Sequence, residues 1–380
     1  LATVVNGGNV LVTADGNGTG IQVVARGYHG DAHIDNAGNV NVGGAYASGA
    51  LQGLVVAADI DATIHNTGSV NVNGGSAAYG ALALSADGDA IFTNDGDVVV
   101  QSGARGGVAF GALVQSKTGI SLVDNNSRIT AIGDTAYAAY AFGQFTDATV
   151  DNAGSLTAVG MYGNAFGALS VSYNADAHVA NSGGVNAFAA GGALGLESLS
   201  YFGDADVTND GFVYAGGGSR ARGMVARSLY GDADTVNNSV LLAYSNGAAI
   251  GQWSRADFGG SASATNHGVV LAVSYYGGAT GVVSGGYVGS TFGNDGGIHA
   301  YAAGTAIGAD VYSTGGNATA SNAGDVSAVS YGDNAIGINA GAYGDVAFDN
   351  AVDGDVRAYG VSAAIGANVY SLYGNITANN

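Results

Sequence analysis

Residues 203–215 read GDADVTNDGFVYA, and residues 88–100 read GDAIFTNDGDVVV. Both stretches carry Gly-Asp-Ala, then an apolar residue, then Asn, Gly and Val at the same spacing. The asparagine of this motif returns along the whole chain at intervals of 27 to 31 residues. The series is Asn6, Asn36, Asn66, Asn94, Asn125, Asn152, Asn181, Asn209, Asn237, Asn266, Asn294, Asn322, Asn350 and Asn380. A fixed period predicts a repeat architecture, here one array over residues 1–380 without separate caps or a barrel.

The residues around each asparagine alternate between apolar and polar. In the copy at Asn209, Ala205 and Val207 precede the asparagine, and Gly211 and Val213 follow it. Spacing by two is the strand pattern, so the motif predicts a strand, a turn at Asn-x-Gly and a second strand. A further motif, Ala-x-Gly, as in residues 193–195, predicts a third strand. Each repeat therefore contains three short strands and three turns.

Three strands in about 28 residues predict one coil of a right-handed parallel β-helix, since a propeller blade needs roughly 40 or more residues. The chain then forms about 13 coils that stack at roughly 4.8 Å into a rod of roughly 60 Å. Columns of Ala and Gly fit a narrow interior. The absence of proline fits strands that are paired on both sides.

The asparagines would lie directly above one another in such a stack. An Asn side chain carries both a donor and an acceptor, so each amide can donate to the next carbonyl. We expect a structural ladder rather than a ligand site. Its members are Asn36, Asn66, Asn94, Asn152, Asn181, Asn209, Asn237, Asn266, Asn294, Asn322 and Asn350.

Composition excludes several functions. The net charge is −20, with nine basic residues and no cysteine. Clustered Lys and Arg are needed to neutralise phosphates, so nucleic-acid binding and binding to anionic membranes are disfavoured. Without cysteine there is no disulfide, thiolate metal site or cysteine nucleophile. The sequence contains neither a signal peptide nor an apolar run long enough to cross a membrane, so export signals would lie outside it.

The repeat resembles those of bacterial surface proteins of the autotransporter (type V secretion) class and of filamentous-haemagglutinin-like adhesins. Residues 88–98, 203–213 and 317–326 carry the resemblance most clearly, and the pattern covers the whole chain. The resemblance implies an exported, non-enzymatic rod on the outer surface of a Gram-negative bacterium. It would act in adhesion or as a structural element, and would contact a glycan or protein of a host or neighbouring cell.

Five residues before the asparagine lies an aspartate column. Stacked carboxylates repel one another, and a hard cation between them would be favourable, so the column predicts a weak calcium site. The alternative is that each Asp caps its own Gly-Asp turn. No cofactor is otherwise expected. The column comprises Asp31, Asp61, Asp89, Asp147, Asp176, Asp204, Asp232 and Asp345, with neutral substitutes at Asn317 and Asn375.

Tyrosines recur near the same turn and form a possible contact surface. Tyr has a flat apolar face and a polar tip, which suits sugar stacking or protein contact. Alternatively, the rings cover glycine-rich turns or stack on each other. These turn tyrosines are Tyr173, Tyr201, Tyr230, Tyr343 and Tyr373, with Tyr28 at the same turn and a second set at Tyr46, Tyr162, Tyr275, Tyr276, Tyr331 and Tyr359.

Other functions are less favoured. A glycan-processing β-helix enzyme would pair acids on neighbouring coils, but no repeat here is interrupted by a long loop. A self-assembling filament through head-to-tail contact is the structural alternative, because the period reaches Asn380 without a polar cap. The one basic cluster is interpreted as a local counterweight to the acidic surface. It contains Arg220, Arg222, Arg227 and Arg255.

Overall fold

The computed structural model describes residues 1–26, 30–44, 48–103 and 106–380. Tyr28 and Tyr46 lie outside the described residues. The chain divides into two compact units, Leu1–Gly191 (unit 1) and Gly192–Asn380 (unit 2). The expectation of a single array over residues 1–380 stays a prediction.

Every described element is a short strand. The strands of unit 1 are β1 (Ala2–Asn6), β2 (Asn9–Thr13), β3 (Gly18–Ala25), β4 (Ala32–Asn36), β5 (Asn39–Gly44), β6 (Ala50–Ala58), β7 (Ala62–Asn66), β8 (Ser69–Gly74), β9 (Ala77–Ser85), β10 (Ala90–Asn94), β11 (Asp97–Gln101), β12 (Val108–Ser116), β13 (Ser121–Asn125), β14 (Arg128–Gly133), β15 (Thr135–Gly143), β16 (Ala148–Asn152), β17 (Ser155–Gly160), β18 (Ala165–Ser172), β19 (Ala177–Asn181) and β20 (Gly184–Ala189). The strands of unit 2 are β21 (Gly192–Ser200), β22 (Ala205–Asn209), β23 (Phe212–Gly217), β24 (Arg220–Ser228), β25 (Ala233–Asn237), β26 (Val240–Ser245), β27 (Ala248–Ala256), β28 (Ser261–Asn266), β29 (Val269–Ser274), β30 (Ala279–Gly286), β31 (Gly289–Asn294), β32 (Gly297–Ala302), β33 (Ala306–Ser313), β34 (Asn317–Asn322), β35 (Asp325–Ser330), β36 (Ala335–Ala342), β37 (Val346–Asn350), β38 (Asp355–Tyr359), β39 (Ala364–Ser371) and β40 (Ile376–Asn379).

Every third strand belongs to the same parallel sheet. In unit 1, sheet A runs β1-β4-β7-β10-β13-β16-β19, sheet B runs β2-β5-β8-β11-β14-β17-β20, and sheet C runs β3-β6-β9-β12-β15-β18. In unit 2, sheet A runs β22-β25-β28-β31-β34-β37-β40, sheet B runs β23-β26-β29-β32-β35-β38, and sheet C runs β21-β24-β27-β30-β33-β36-β39. The predicted parallel β-helix of about 13 coils with three strands per coil is confirmed. Its right-handed sense stays a prediction.

The interior is narrow and built from small side chains. Alternate residues point inward, as in β4, where Ala32, Ile34 and Asn36 are buried. In unit 2, one buried cluster consists entirely of alanines, from Ala249 to Ala335. The largest fully buried rings are Phe92 and Phe292, both in sheet A. The predicted alanine columns are therefore part of the core, which also contains buried valine, leucine and isoleucine side chains.

The glycine of Ala-x-Gly is required by packing between sheets. A Cβ at Gly308 would clash with Val326 Cγ1 and with the carbonyl oxygen of Gly337. Val326 lies four residues after Asn322, so the motif of the third strand fits against the aliphatic column of the second. The two sequence motifs are thus two sides of one contact.

Serine hydroxyls cap the turn that joins sheet C to sheet A, which the sequence reasoning missed. The Ser228 hydroxyl accepts from the Gly231 amide at 2.8 Å and donates to the Gly203 carbonyl of the neighbouring coil at 2.7 Å. Equivalent caps occur at Ser172 and Ser371, and Ser274 and Ser330 cap the turn from sheet B to sheet C in the same way. No helix among the described residues is long and apolar enough to cross a membrane.

Candidate binding surface

The asparagine ladder is present within each unit. In unit 1, Asn36 Nδ2 donates to Asn66 Oδ1 at 2.7 Å, and the chain of bonds from Asn6 to Asn181 has distances of 2.7 to 2.9 Å. In unit 2 the same bond runs from Asn209 to Asn380 at 2.7 to 2.9 Å. The second amide hydrogen goes to the turn carbonyl, such as that of Gly38. Both donors are therefore used inside the protein, which leaves the ladder a structural rather than a binding role.

The aspartate column also bonds between coils. Asp204 Oδ1 accepts the backbone amide of Asp232 at 2.8 Å, and Asp232 Oδ1 accepts that of Ser261 at 2.7 Å. The neutral Asn317 does the same for the Asp345 amide at 2.8 Å. At these positions the side-chain oxygen accepts an amide of the next coil, because parallel stacking brings that amide within reach. A cap on the same turn stays a prediction. The same inter-coil bond is made by Asp61, Asp89, Asp147 and Asp345.

Four carboxylates of unit 2 lie together on two neighbouring coils. Asp206 faces Asp234 in register, and Asp204 and Asp232 lie two residues before them. Burial, and then the negative charges of Asp206, Asp232 and Asp204, raise the pKa of Asp234 to about 6. Within the described ranges, no group of three or more His, Asp or Glu side chains could hold a metal ion. The calcium hypothesis for the aspartate column thus gains no support from geometry and stays a prediction.

The turn tyrosines are exposed and partly stacked. Tyr230 stacks on Phe202 with ring centroids 5.2 Å apart and meets Phe258 at 5.8 Å, while Tyr343 lies 4.7 Å from Tyr373. Tyr173, Tyr201, Tyr230, Tyr343 and Tyr373 are all more than a third exposed. Stacking between rings is therefore seen at Tyr230, and the role of these tyrosines as a contact surface stays a prediction.

A longer column of stacked aromatic rings lies on the outer face of sheet C in unit 1. Tyr79, Phe110, Tyr137 and Phe166 occupy one register column, with ring centroids 5.1, 4.8 and 4.6 Å apart and planes within 8° of parallel. Tyr140 packs beside Tyr137 at 5.8 Å. We call these five rings the aromatic ladder. All five are partly solvent-exposed. The solvent-facing side of a sheet usually carries polar residues instead.

The outer face of sheet C in unit 2 carries the arginines. The guanidinium carbon of Arg222 lies 4.4 Å from the centre of the Trp253 ring, and that of Arg255 lies 5.9 Å away. Arg227 donates twice to Asp257 Oδ2, at 2.9 and 2.7 Å, and Arg255 donates to the other oxygen of the same carboxylate. We call Arg220, Arg222, Arg227, Arg255 and Trp253 the arginine patch.

Farther along this face, glycines alternate with tyrosines. Gly285, Tyr312, Gly341 and Tyr370 are successive members of one register column. Each tyrosine ring lies across the preceding glycine, so that a Cβ at Gly285 or Gly341 would clash with it. An open cleft of about 280 Å³ is lined by Tyr312, Gly341, Tyr343 and Tyr370. This tyrosine cleft is just below the size of ordinary ligand pockets and suits one sugar-sized group.

The sequence reasoning found the turn tyrosines and the arginines but missed the aromatic ladder. The sequence does contain a sign of the aromatic ladder. The middle residue of the Ala-x-Gly motif is aromatic in three copies, at Tyr79, Phe110 and Phe166. Only the register shows that these residues share one face. Comparisons of the chain with protein-family models, curated proteins and solved structures return no match.

Proposed function

We propose that the chain is a non-enzymatic, extracellular β-solenoid that acts in adhesion, with the outer face of sheet C as its contact surface. The aromatic ladder is the observation that carries this proposal. Contiguous apolar rings on an outward strand face are unfavourable in water unless something covers them, and such patches mark interaction sites. Stacked Tyr and Phe rings present rigid contact area at small entropic cost.

Two further points bear on location. The fold is held by backbone ladders, asparagine amides and packing without cysteine, so it is compatible with an extracellular space as well as with other compartments. The repeat also resembles that of Gram-negative surface proteins. A glycan or protein of a host or neighbouring cell is the proposed partner, and exposure on the outer surface of such a bacterium is the proposed location.

The enzyme alternative has one feature in its favour, the Asp206 and Asp234 pair with one pKa near 6. Neither residue lines the tyrosine cleft or a second cleft, which is lined by Asn317, Asp345 and Asn375. We favour adhesion because neither of these two clefts would hold a scissile bond beside the acid pair.

Fluorescent beads coated with the full chain test the adhesion proposal on cultured epithelial cells and on a glycan array. We expect the wild type to bind and the double variant Phe110→Ser/Tyr137→Ser to lose at least tenfold in binding with little change in melting temperature. Tyr276→Ser removes a ring that is 83% exposed, from a turn of unit 2 outside sheet C, and serves as the control for loss of an aromatic side chain. Equal binding by the double variant, or no binding by the wild type to any surface, would refute the proposal. Turnover of any arrayed glycan would refute its non-enzymatic part.

A further inference from the structure

The guanidinium group of Arg222 lies against the Trp253 ring but forms no ion pair with a carboxylate among the described residues. It is half-buried on the outer face of sheet C, its Nε–H has no hydrogen-bond acceptor, and the indole N–H of Trp253 beside it has none either. Burial, followed by the charge of Arg220, lowers the pKa of Arg222. A positive group that is partly removed from water without a bonded counter-charge is costly, and a bound anion would offset that cost.

Positive charge is concentrated at the arginine patch, although the chain as a whole is strongly acidic. The protein has a net charge of −20, yet four of its nine basic residues lie on the neighbouring strands β24 and β27. Two carboxylates accompany them, Asp257, which is bound by Arg227 and Arg255, and Glu197 on β21. Burial raises the pKa of the Glu197 carboxyl, and the charges of Arg222, Arg227 and Arg220 oppose this effect. Four positive groups against two acids leave a surplus of two positive charges.

The same face continues with polar groups at strand spacing. Asn368 Nδ2 donates to Asn339 Oδ1, and Asn339 Nδ2 donates to Asp310 Oδ1, both at 2.8 Å. Tyr312 and Tyr370 lie in the adjacent column. From β24 to β39 there are five strand steps, or about 24 Å, along which a linear polymer would meet arginines, then amides and phenols.

We propose that the outer face of sheet C in unit 2 binds an acidic polysaccharide, with the arginine patch as the subsite for its carboxylate or sulfate groups. The inference deepens the proposed adhesive function and rests on it for its biological meaning. Guanidinium forks pair with carboxylate or sulfate oxygens, and the amides and phenols provide hydrogen bonds for hydroxyl groups.

Acidic polymers of other classes fit less well. An acidic peptide would ordinarily add to a free strand edge or fill apolar pockets, but β24 and β27 are paired on both sides. A nucleic acid carries a dense line of phosphates that the overall charge of −20 would repel, and two surplus charges release too few counterions for strong binding.

Trp253 is the single tryptophan, so its fluorescence reports binding at the patch itself. The full chain is titrated with oligogalacturonate, with sulfated heparin oligosaccharide and with neutral dextran oligosaccharide. We expect a saturable change in emission with one or both acidic ligands and none with dextran, and the comparison of the two distinguishes carboxylate from sulfate. Affinity should fall steeply with added NaCl, because the contacts are ionic. Poly-glutamate and a DNA oligonucleotide are titrated in parallel.

Substitutions then locate the site. Arg222→Gln should weaken acidic-ligand binding at least tenfold, and Arg222→Lys should recover only part of the loss because it lacks the fork. Arg357→Gln, which removes an arginine from sheet B of the same unit, should leave affinity unchanged. Glu197→Gln should tighten binding a few-fold, since it removes a competing acid. Melting temperatures verify that each variant is folded.

Four results would overturn the inference: no emission change with either acidic ligand, an equal change with dextran, equal or tighter binding of poly-glutamate or DNA, or unchanged affinity in Arg222→Gln. Variants of the aromatic ladder should retain acidic-ligand binding. Absence of bead adhesion by the wild type, or equal adhesion by the ladder variants, together with intact acidic-ligand binding would therefore count against the proposed function alone.

Discussion

Asn237 Nδ2 donates to Asn266 Oδ1 at 2.8 Å, and the same nitrogen donates to the Ser239 carbonyl at 2.9 Å. Asn237 Oδ1 in turn accepts from Asn209 at 2.8 Å. One side chain thus joins three coils and its own turn. Since Asn237 is fully buried, no water can replace these bonds.

Removal of one ladder member should therefore be costly. Asn237→Ala leaves buried groups on both neighbours without a partner, and we expect a loss of about 2 to 3 kcal/mol in the free energy of unfolding. Urea unfolding followed by circular dichroism measures it. Asn238→Ala changes the adjacent exposed asparagine, which bonds to Asp210 at 2.6 Å, and should cost less than about 0.5 kcal/mol. Equal losses of unfolding free energy in Asn237→Ala and Asn238→Ala would show that a ladder asparagine stabilises the fold no more than an exposed one.

The glycine of Ala-x-Gly should tolerate no side chain inside the stack. Gly308→Ala introduces a Cβ that clashes with Val326 and with the Gly337 carbonyl, so we expect about 2 to 3 kcal/mol of destabilisation from overpacking. Gly366 occupies the same position of the motif in β39, where a Cβ would meet nothing within 4 Å. Gly366→Ala should be neutral or slightly stabilising. The comparison is made by thermal melting, and equal shifts would contradict the packing explanation.

The carboxylate cluster should make stability depend on pH. The pKa of Asp234 is raised from 3.8 to about 6, so between these values the folded state holds a proton that the unfolded state has lost. The free energy of unfolding should therefore fall as pH rises from about 4 to 6. Asp234→Asn should remove this dependence and stabilise the protein at pH 7 by about 1 kcal/mol, after allowance for solvent screening.

Asp325→Asn is the control for this effect, because it removes one negative charge from an exposed position of the same unit. Denaturant unfolding at pH 4, 5, 6 and 7 compares the three proteins. If the free energy of unfolding depends on pH in the same way in wild type and in Asp234→Asn, the carboxylate cluster does not destabilise the folded state.

The aspartate column should depend on an acceptor oxygen rather than on charge or calcium. Asp232→Asn keeps an oxygen for the Ser261 amide, as Asn317 does for Asp345, and should leave stability unchanged or slightly raised. Asp232→Ala should lose about 1 kcal/mol. Chelator should not change the melting temperature, because the carboxylate oxygens already accept backbone amides. A fall in melting temperature with chelator that added calcium reverses would revive the calcium hypothesis.

Much of the fold follows from local rules that are repeated at each coil. Val207 and Val213 flank Asn209 at strand spacing, and the turn glycine follows at Gly211, so each coil can be read from about 28 residues. Register then follows as well, because identical turns place Asn237 on Asn266. The ladder was predictable since it needs only that equivalent residues stack.

The candidate surface was less predictable, because it depends on which side chains point outward and which coil supplies their partners. The sequence identified Tyr230 and Arg222 as notable residues but placed neither against its neighbour. For Asp232 it offered a cation site or a cap on its own turn, whereas in the structure the Asp232 oxygen accepts the Ser261 amide of the next coil at 2.7 Å.

The sequence by itself determined the period, the three strands of each coil, the narrow alanine-rich core and the asparagine ladder. Each of these depends on a residue pattern that recurs in every repeat. Only the tertiary structure decided that Tyr79, Phe110, Tyr137 and Phe166 form one surface and that Arg222 lies against Trp253. Those contacts join variable positions roughly 30 residues apart. They exist only when parallel pairing sets neighbouring strands about 4.8 Å apart and turns the same face of each outward.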